Sequence, residues 1–368
     1  MNIQFLDLKP QYTSIQGEIH ASIQQVLASG SFVLGKPVLD FENRFSEAHS
    51  VKHCIGVSSG TDANHLSLSM IDIGPGDEVI IPVNTFIATA WGATLCGSRP
   101  VFVDCHPESY NIDPLKIERA ITKKTKAIVA VHLYGQATDM QPLQEIARRH
   151  DVHLVEDAAQ AHLAEYNGKK VGGIGISAAF SFYPGKNLGA YGEAGALTTN
   201  DNEIARKARM FRDQGQSEKY HHDSYGHNYR MEAIQGAVLG VKLKYLPQWT
   251  AQRRAVAGKY RQLLGDLEQV SLPKEMPYAK HVYHLFVIRA RRRDDLKAFL
   301  EQKGIGTGLH YPIPLHLQKA FQHLGYKKGD FPVAEKAADE ILSLPMYPEL
   351  TDQQIEYVCD SIREFYPQ

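Results

Sequence analysis

The sequence predicts an α/β protein: a large domain with a mostly parallel, mixed sheet flanked by helices, followed by a smaller C-terminal α+β domain. Three observations carry this. Short apolar runs alternate with amphipathic segments from position 53 to position 156, and such alternation buries a parallel sheet on both faces. After position 176 the alternation lapses into two strand-like runs with no long helix between them. It restarts after Pro277 in a shorter mixed pattern. The boundary falls at 240, with residues 1–240 as the large domain and 241–368 as a connecting helix and small domain.

Taken in order, Ile15, Ile19, Ile23 and Leu27 recur at helical spacing ahead of Ser29-Gly30, predicting an amphipathic helix over 12–29. Gly30-Ser-Phe-Val-Leu-Gly35-Lys36 has the spacing of a phosphate-binding P-loop. However, Pro37 stands where Ser or Thr must hold magnesium, and a helix rather than a strand precedes it. The segment reads as a loop leading out of the first helix. Runs at 53–57, 78–82, 100–104, 126–131 and 153–156 read as buried strands, with helices at 63–70, 88–95, 114–121 and 142–150. Further strands are expected at 178–182 and 195–198. From 204 to 261 the pattern is mostly helical, interrupted by a polar loop at 214–228, and Pro247 should kink or break the helix. A strand at 284–289 and helices at 294–303, 331–342 and 351–365 complete the chain.

Composition narrows the function. With 43% hydrophobic and 22% charged residues, the chain is of ordinary globular type. Forty basic residues against 41 acidic ones, a net charge of -1, remove the electrostatic case for binding nucleic acid or an anionic membrane. Cys54, Cys96, Cys105 and Cys359 are scattered without a CxxC pair, so neither a disulfide framework nor a cysteine zinc site is expected. No apolar stretch approaches the ~20 residues of a membrane helix, and no basic segment followed by an apolar run opens the chain. A cytoplasmic location is the expectation. The 17 histidines invite a metal reading. His49 and His53 lack the acid of an HExxH motif, and no carboxylate or Cys completes a set with His221, His222 and His227, so no metal site is expected.

Three strings bear chemistry. Ser58-Ser-Gly60-Thr61-Asp-Ala63 follows a strand and opens a helix, where backbone N–H groups and the helix N-terminus attract phosphate. A simple Ser N-cap gives the same string. Leu154-Val-Glu-Asp157-Ala-Ala-Gln160 is an apolar strand ending in carboxylates, at the strand end where open α/β sheets bind ligands. Such an acid is either a surface cap or a buried counter-charge for a ring nitrogen. Phe180-Ser181-Phe-Tyr183-Pro-Gly-Lys186-Asn-Leu-Gly189 sets one Lys among aromatic and small residues. Desolvated there, it would favour the neutral amine that forms a Schiff base; solvated, it would be an ordinary loop Lys. Together the three make a phosphate cup, an acid for a pyridine nitrogen and an amine for an aldehyde, the partners that pyridoxal phosphate needs.

With these strings and His310-Tyr311-Pro-Ile-Pro-Leu-His316, the sequence resembles the DegT/StrS-type sugar aminotransferases, within the aspartate-aminotransferase-like fold-type I pyridoxal-phosphate enzymes. The resemblance runs from Phe5-Leu-Asp-Leu to the C-terminal helix. It implies Lys186 as the Schiff-base and proton-transferring residue, Asp157 as the partner of the pyridinium nitrogen and Gln160 as the partner of the phenolic oxygen. Phe86 would stack on the ring, and Gly60, Thr61 and Ser181 would hold the phosphate. Asn228 would reach the phosphate from a neighbouring subunit, so a homodimer with shared active sites is implied. The implied reaction has two halves: L-glutamate leaves its amine on the cofactor, which becomes pyridoxamine phosphate, and a nucleotide-linked keto sugar receives it. Lys186 separates the chain from the dehydratase branch, which carries His there. The branch that aminates C3 of dTDP-3-keto-6-deoxyhexoses is the most similar, with Tyr183, His310, Tyr311 and His316 near the sugar and Lys219 approaching the pyrophosphate. Amination at C4 of a UDP- or GDP-linked sugar and a non-catalytic regulatory protein of the same fold are the alternatives. Ala194 stands where many relatives have Gly, an added methyl behind the Lys loop.

Overall fold

The computed structural model describes residues 1–366. Seven strands form the main sheet: β1 (His53–Val57), β2 (Glu78–Pro82), β3 (Arg99–Val103), β4 (Thr125–Val131), β5 (His153–Asp157), β6 (Ser177–Ser181) and β7 (Gly195–Thr199). Their order is β1-β7-β6-β5-β4-β2-β3. β7 is antiparallel to both its neighbours and the other pairings are parallel, so six strands run one way and β7 runs back between two of them. This is the mixed, mostly parallel sheet expected. β4 through β7 are almost wholly buried, as a sheet covered on both faces requires.

Helices α1 (Lys9–Ser29), α2 (Gly35–His49), α3 (Gly60–Ser69), α4 (Ile87–Leu95), α5 (Pro114–Ile117) and α6 (Met140–His150) belong to the first half of the chain. α7 (Asn202–Arg212), α8 (Ala233–Lys242) and α9 (Leu246–Leu264) follow the sheet. Pro247 lies in the first turn of α9, where its missing N–H is harmless, and the chain breaks between Lys242 and Leu246 as the proline predicts. Beyond it, β8 (Phe286–Ala290) pairs antiparallel with β9 (Ile341–Leu344), packed by α10 (Arg293–Gln302), α11 (Pro332–Glu340) and α12 (Asp352–Phe365). The N-terminus joins this second core: Ile3 is buried there and bonds Gly304 and Gly306 through its backbone.

Two elements differ from the sequence reading. The segment after Gly30 is not merely a loop, because α2 starts at Gly35. Its buried residues Val38, Phe41, Glu42, Phe45 and His49 fall at i, i+3, i+4, i+7 and i+11, a helical stripe. Residues 341–344 are a strand rather than the end of the 331–342 helix. Ile341–Leu344 is fully buried and its backbone completes the ladder beside Phe286–Ala290. Among the described residues no helix is long and apolar enough to cross a membrane, and no group of three His, Cys, Asp or Glu is placed to hold a metal.

Candidate active site

The carboxyl ends of the parallel strands open on a cavity of about 560 Å³. Gly60, Thr61, Phe86, Asp157, Gln160, Ser181, Tyr183, Lys186, His310 and Tyr311 all line it. Gly60 and Thr61 begin α3 directly after β1, Phe86 precedes α4 after β2, Asp157 ends β5 and Ser181 ends β6. Each therefore sits where the sheet presents ligand-binding groups. Lys186 lies in the connection between β6 and the reversed β7.

The start of α3 is built for an anion. Ser59 caps the helix, accepting from the Asp62 amide at 3.1 Å, while the Ser58 and Ser59 hydroxyls donate to the Asp62 carboxylate at 2.6 and 2.8 Å. The only acid in the first turn is thus occupied, leaving the Gly60 and Thr61 end facing the cavity. A Cβ on Gly60 would lie 2.5 Å from the Ser181 Cβ, so only Gly allows the helix start and the β6 end to meet.

Glu156 and Asp157 are consecutive, and the strand pleat sends them to opposite sides. Glu156 accepts from His132 Nε2 at 2.9 Å and from the amides of Gly172, Ile174 and Gly175 at 2.8 Å. Burial alone would raise its carboxyl, but these bonds hold it below the ordinary value. Asp157 lines the cavity and accepts from Thr89 Oγ1 at 2.6 Å, Asn64 Nδ2 at 3.0 Å and the Ala159 amide at 3.1 Å. The sequence reading singled out neither Asn64 nor Thr89, although Asn64 directly follows the Gly60 string and Thr89 lies three residues after Phe86.

Burial lowers the Lys186 amine from 10.5 to about 8, with the charge of Asp157 opposing the shift. Gln160 accepts from the Tyr134 amide at 2.6 Å and donates to the Tyr311 hydroxyl at 3.1 Å. Tyr311 faces Phe86 with ring centroids 5.4 Å apart, and its hydroxyl is pushed up by burial and by Asp157. His310 stacks on Phe5 at 5.5 Å and bonds Ser343 Oγ at 2.8 Å through Nδ1. Burial, helped by the Lys186 charge, lowers it to about 4, which keeps the ring neutral. His284 and Glu193 also line the cavity, and no sequence signal pointed to them. Ala194 is fully buried, and its carbonyl accepts from the Phe182 amide at 2.8 Å.

Three expected residues lie outside this lining. His316 is a correction: its ring is buried on Phe331 and bonds Glu335 at 3.0 Å, a packing position that sequence proximity to His310 concealed. Lys219 and Asn228 are exposed on the 214–228 segment, and Asn228 Oδ1 accepts from Arg230 at 2.9 Å.

The profile of the DegT/DnrJ/EryC1/StrS aminotransferase family matches residues 13–363. Among curated relatives, a protein of Geobacillus stearothermophilus named "Pleiotropic regulatory protein" is 49% identical over 100% of this chain and 99% of its own. The dTDP-3-amino-3,4,6-trideoxy-alpha-D-glucose transaminase of Streptomyces venezuelae is 44% identical over 99% of this chain and 96% of its own. The crystal structure of S. venezuelae DesV, in complex with a ketimine intermediate, is 43% identical and superposes with a TM-score of 0.98, covering 100% of this chain and 99% of that one. With this match over almost its full length, and with Lys186 and Asp157 facing one cavity, the chain belongs to the DegT/DnrJ/EryC1/StrS aminotransferase family.

Proposed function

We propose that this protein transfers the amino group of L-glutamate to C3 of a nucleotide-linked keto sugar, dTDP-3-keto-6-deoxyhexose, by a two-half-reaction mechanism with pyridoxal phosphate. The observation that carries the reading is a buried amine, Lys186, sharing a cavity with a carboxylate and an anion-ready helix start. The donor set fits the cofactor. The Gly60–Ser181 contact shapes a phosphate cradle that a Cβ would fill, Asp157 is held by three donors, and Lys186 is desolvated. Gly60, Thr61 and Ser181 would hold the phosphate, Phe86 the ring face and Gln160 the phenolic oxygen. When bound, the cofactor supplies an electron sink for the carbon that carries the amine.

The chain's own residues do the rest. Asp157 keeps a proton on the ring nitrogen, and Asn64 and Thr89 hold its carboxylate in place. Lys186 would link to the cofactor at rest; once displaced by the donor's amine, it would take the proton from the donor's α-carbon in the first half and deliver one at the sugar carbon in the second. Its lowered basicity makes both directions accessible near neutrality. Phe86 and the His310–Tyr311 wall exclude water from that exchange. C3 of a dTDP sugar is supported by Tyr183, His310 and Tyr311 at the cavity and by the name of the S. venezuelae relative.

Purified protein, glutamate and each of the dTDP-3-keto-6-deoxy and 4-keto sugars test the assignment. Amination of the 3-keto sugar is expected, and activity confined to the 4-keto sugar rejects it. The name of the Geobacillus relative favours a regulatory reading. A cofactor-loaded protein whose yellow absorption fails to bleach with glutamate would support that reading instead.

A homodimer with shared sites and a cytoplasmic location belong to the same proposal. The exposed Lys219, Tyr220, Tyr225 and Asn228 on one segment support the first, and four unpaired cysteines support the second. Co-expressing Lys186→Ala with Asn228→Ala should restore about a quarter of wild-type activity, because each mixed dimer regains one intact site. No restoration would reject the shared site.

A further inference from the structure

Lys242, on α8, is a buried cation that the chemistry above does not use. It is 1% exposed, and its ammonium, which feels the charge of Glu349, donates to a neutral acceptor, the carbonyl of Gly189, at 2.5 Å. The Tyr191 ring lies 5.0 Å from the same nitrogen. An ammonium held inside a protein by a carbonyl is costly to desolvate, so the placement asks what it holds.

Gly189 closes the loop that carries Lys186. The Lys186 amide donates to the Tyr183 carbonyl at 2.8 Å and the Ala190 amide to the Phe182 carbonyl at 2.7 Å. A Cβ on Gly189 would sit 2.3 Å from the Pro184 carbonyl oxygen, so the loop's exit lies against its entry. Gln235 stands seven residues before Lys242, two turns back on the same helix face. Its Oε1 accepts from the Tyr191 amide at 2.9 Å, and its side chain packs on Gly192. α8 thus grips the loop's exit at two points and leaves Lys186 free to face the cavity.

We propose that Lys242 is a positioning residue for Lys186: its contact with the Gly189 carbonyl fixes the loop exit and so the direction in which the Lys186 amine points. The proposal rests on Lys186 being the residue that links to the cofactor. It predicts a rate defect without loss of cofactor binding, since Lys242 is not among the residues that line the cavity.

The test compares Lys242→Met, which removes donor and charge, with Lys242→Gln, which keeps a donor. Five quantities are measured on the full chain: the rate at which yellow absorption forms when pyridoxal phosphate is added to cofactor-stripped protein, the rate of its bleaching by saturating glutamate, cofactor affinity, half-saturating glutamate, and amide exchange over 187–192. Lys242→Met is expected to slow both rates by about tenfold to a hundredfold, the scale of a misplaced reacting group. Cofactor affinity and half-saturating glutamate should move by less than about threefold, because their contacts are untouched. Lys242→Gln should recover part of both rates, and amide exchange over 187–192 should quicken in Lys242→Met. Wild-type rates in both variants overturn the proposal, as does a lowered melting temperature with unchanged rates in the folded, loaded enzyme. If Lys242→Met does not fold, Lys242→Ala, which also removes the donor, takes its place, and wild-type rates in its folded, loaded form overturn the proposal. If wild-type protein turns yellow but does not bleach, the glutamate assignment fails while the rate of yellow-band formation still decides the role of Lys242.

Discussion

At the floor of the cavity Asp157 is held by Asn64, Thr89 and the Ala159 amide, and Gly60 touches Ser181 so closely that no side chain fits. At the rim Tyr183 is about half exposed, and Glu193 is exposed too. The difference separates two tasks. On the proposed function, the groups that hold the phosphate and the ring nitrogen sit on strand ends and helix starts with their hydrogen bonds satisfied, and Lys186 stands on a connection whose entry and exit are bonded to each other. The groups proposed to choose the sugar, Tyr183 among them, stand on connections, where replacement disturbs little else.

The sharpest way to break this contrast is at the floor. On the proposed mechanism Lys186→Ala should lower the glutamate half-reaction by about 10⁴-fold or more, since it would remove both nucleophile and proton carrier. Single-turnover bleaching measures this, and near-wild-type bleaching would show that another amine does the work. Asp157→Ala should follow at about 10²- to 10³-fold, the scale of a lost charge partner at the reacting group. It should also destabilise the fold by about 1–3 kcal/mol, because the Asn64 and Thr89 donors are left unpaired, which a denaturant midpoint reads.

A smaller effect comes from pH. The Lys186 amine titrates at about 8 because burial disfavours its charged form. Only the neutral amine attacks the cofactor aldehyde, so the rate of yellow-band formation should climb about tenfold per pH unit up to that value and level off above it. A flat profile from pH 6 to 9 would mean that the amine is neutral throughout. His310, held near 4, should add no inflection between pH 5.5 and 7.5. The smallest expected effect is at the rim. Tyr183→Phe should raise the KM for the sugar by about fivefold, one hydrogen bond's worth, and leave glutamate bleaching unchanged. A change in bleaching would move Tyr183 from rim to floor.

The floor was legible in the sequence because its residues cluster in short strings at strand ends, where residue type and position point to the same chemistry. Its supports were harder to see. Asn64 reaches a partner 93 positions away, and Tyr134 holds Gln160 through a backbone amide that no side-chain pattern reveals. The rim was read in part: His310 and Tyr311 face the cavity, while His316, six positions on, turns into the packing around Phe331. A loop with two prolines, Pro312 and Pro314, changes direction too often for spacing to predict which rings share a face. In the fold, α2 escaped notice because a P-loop-like string covers its start. The strand at 341–344 escaped because a short apolar run directly after a helix continues the helical pattern, and only its ladder with Phe286–Ala290 settles it.

Glu156 and Asp157 have a consequence for how this chain tolerates change of length. One anchors the 171–175 loop and the other faces the cofactor pocket, on opposite sides of a single strand. Adding or deleting one residue in 153–157 would turn each carboxylate toward the other's surroundings. Glu would then be at the pocket, and Asp, one methylene shorter, would be among amides it cannot span. Natural length variation should therefore be absent from this strand and accumulate instead in connections such as 214–228, whose backbone carries no such two-sided duty.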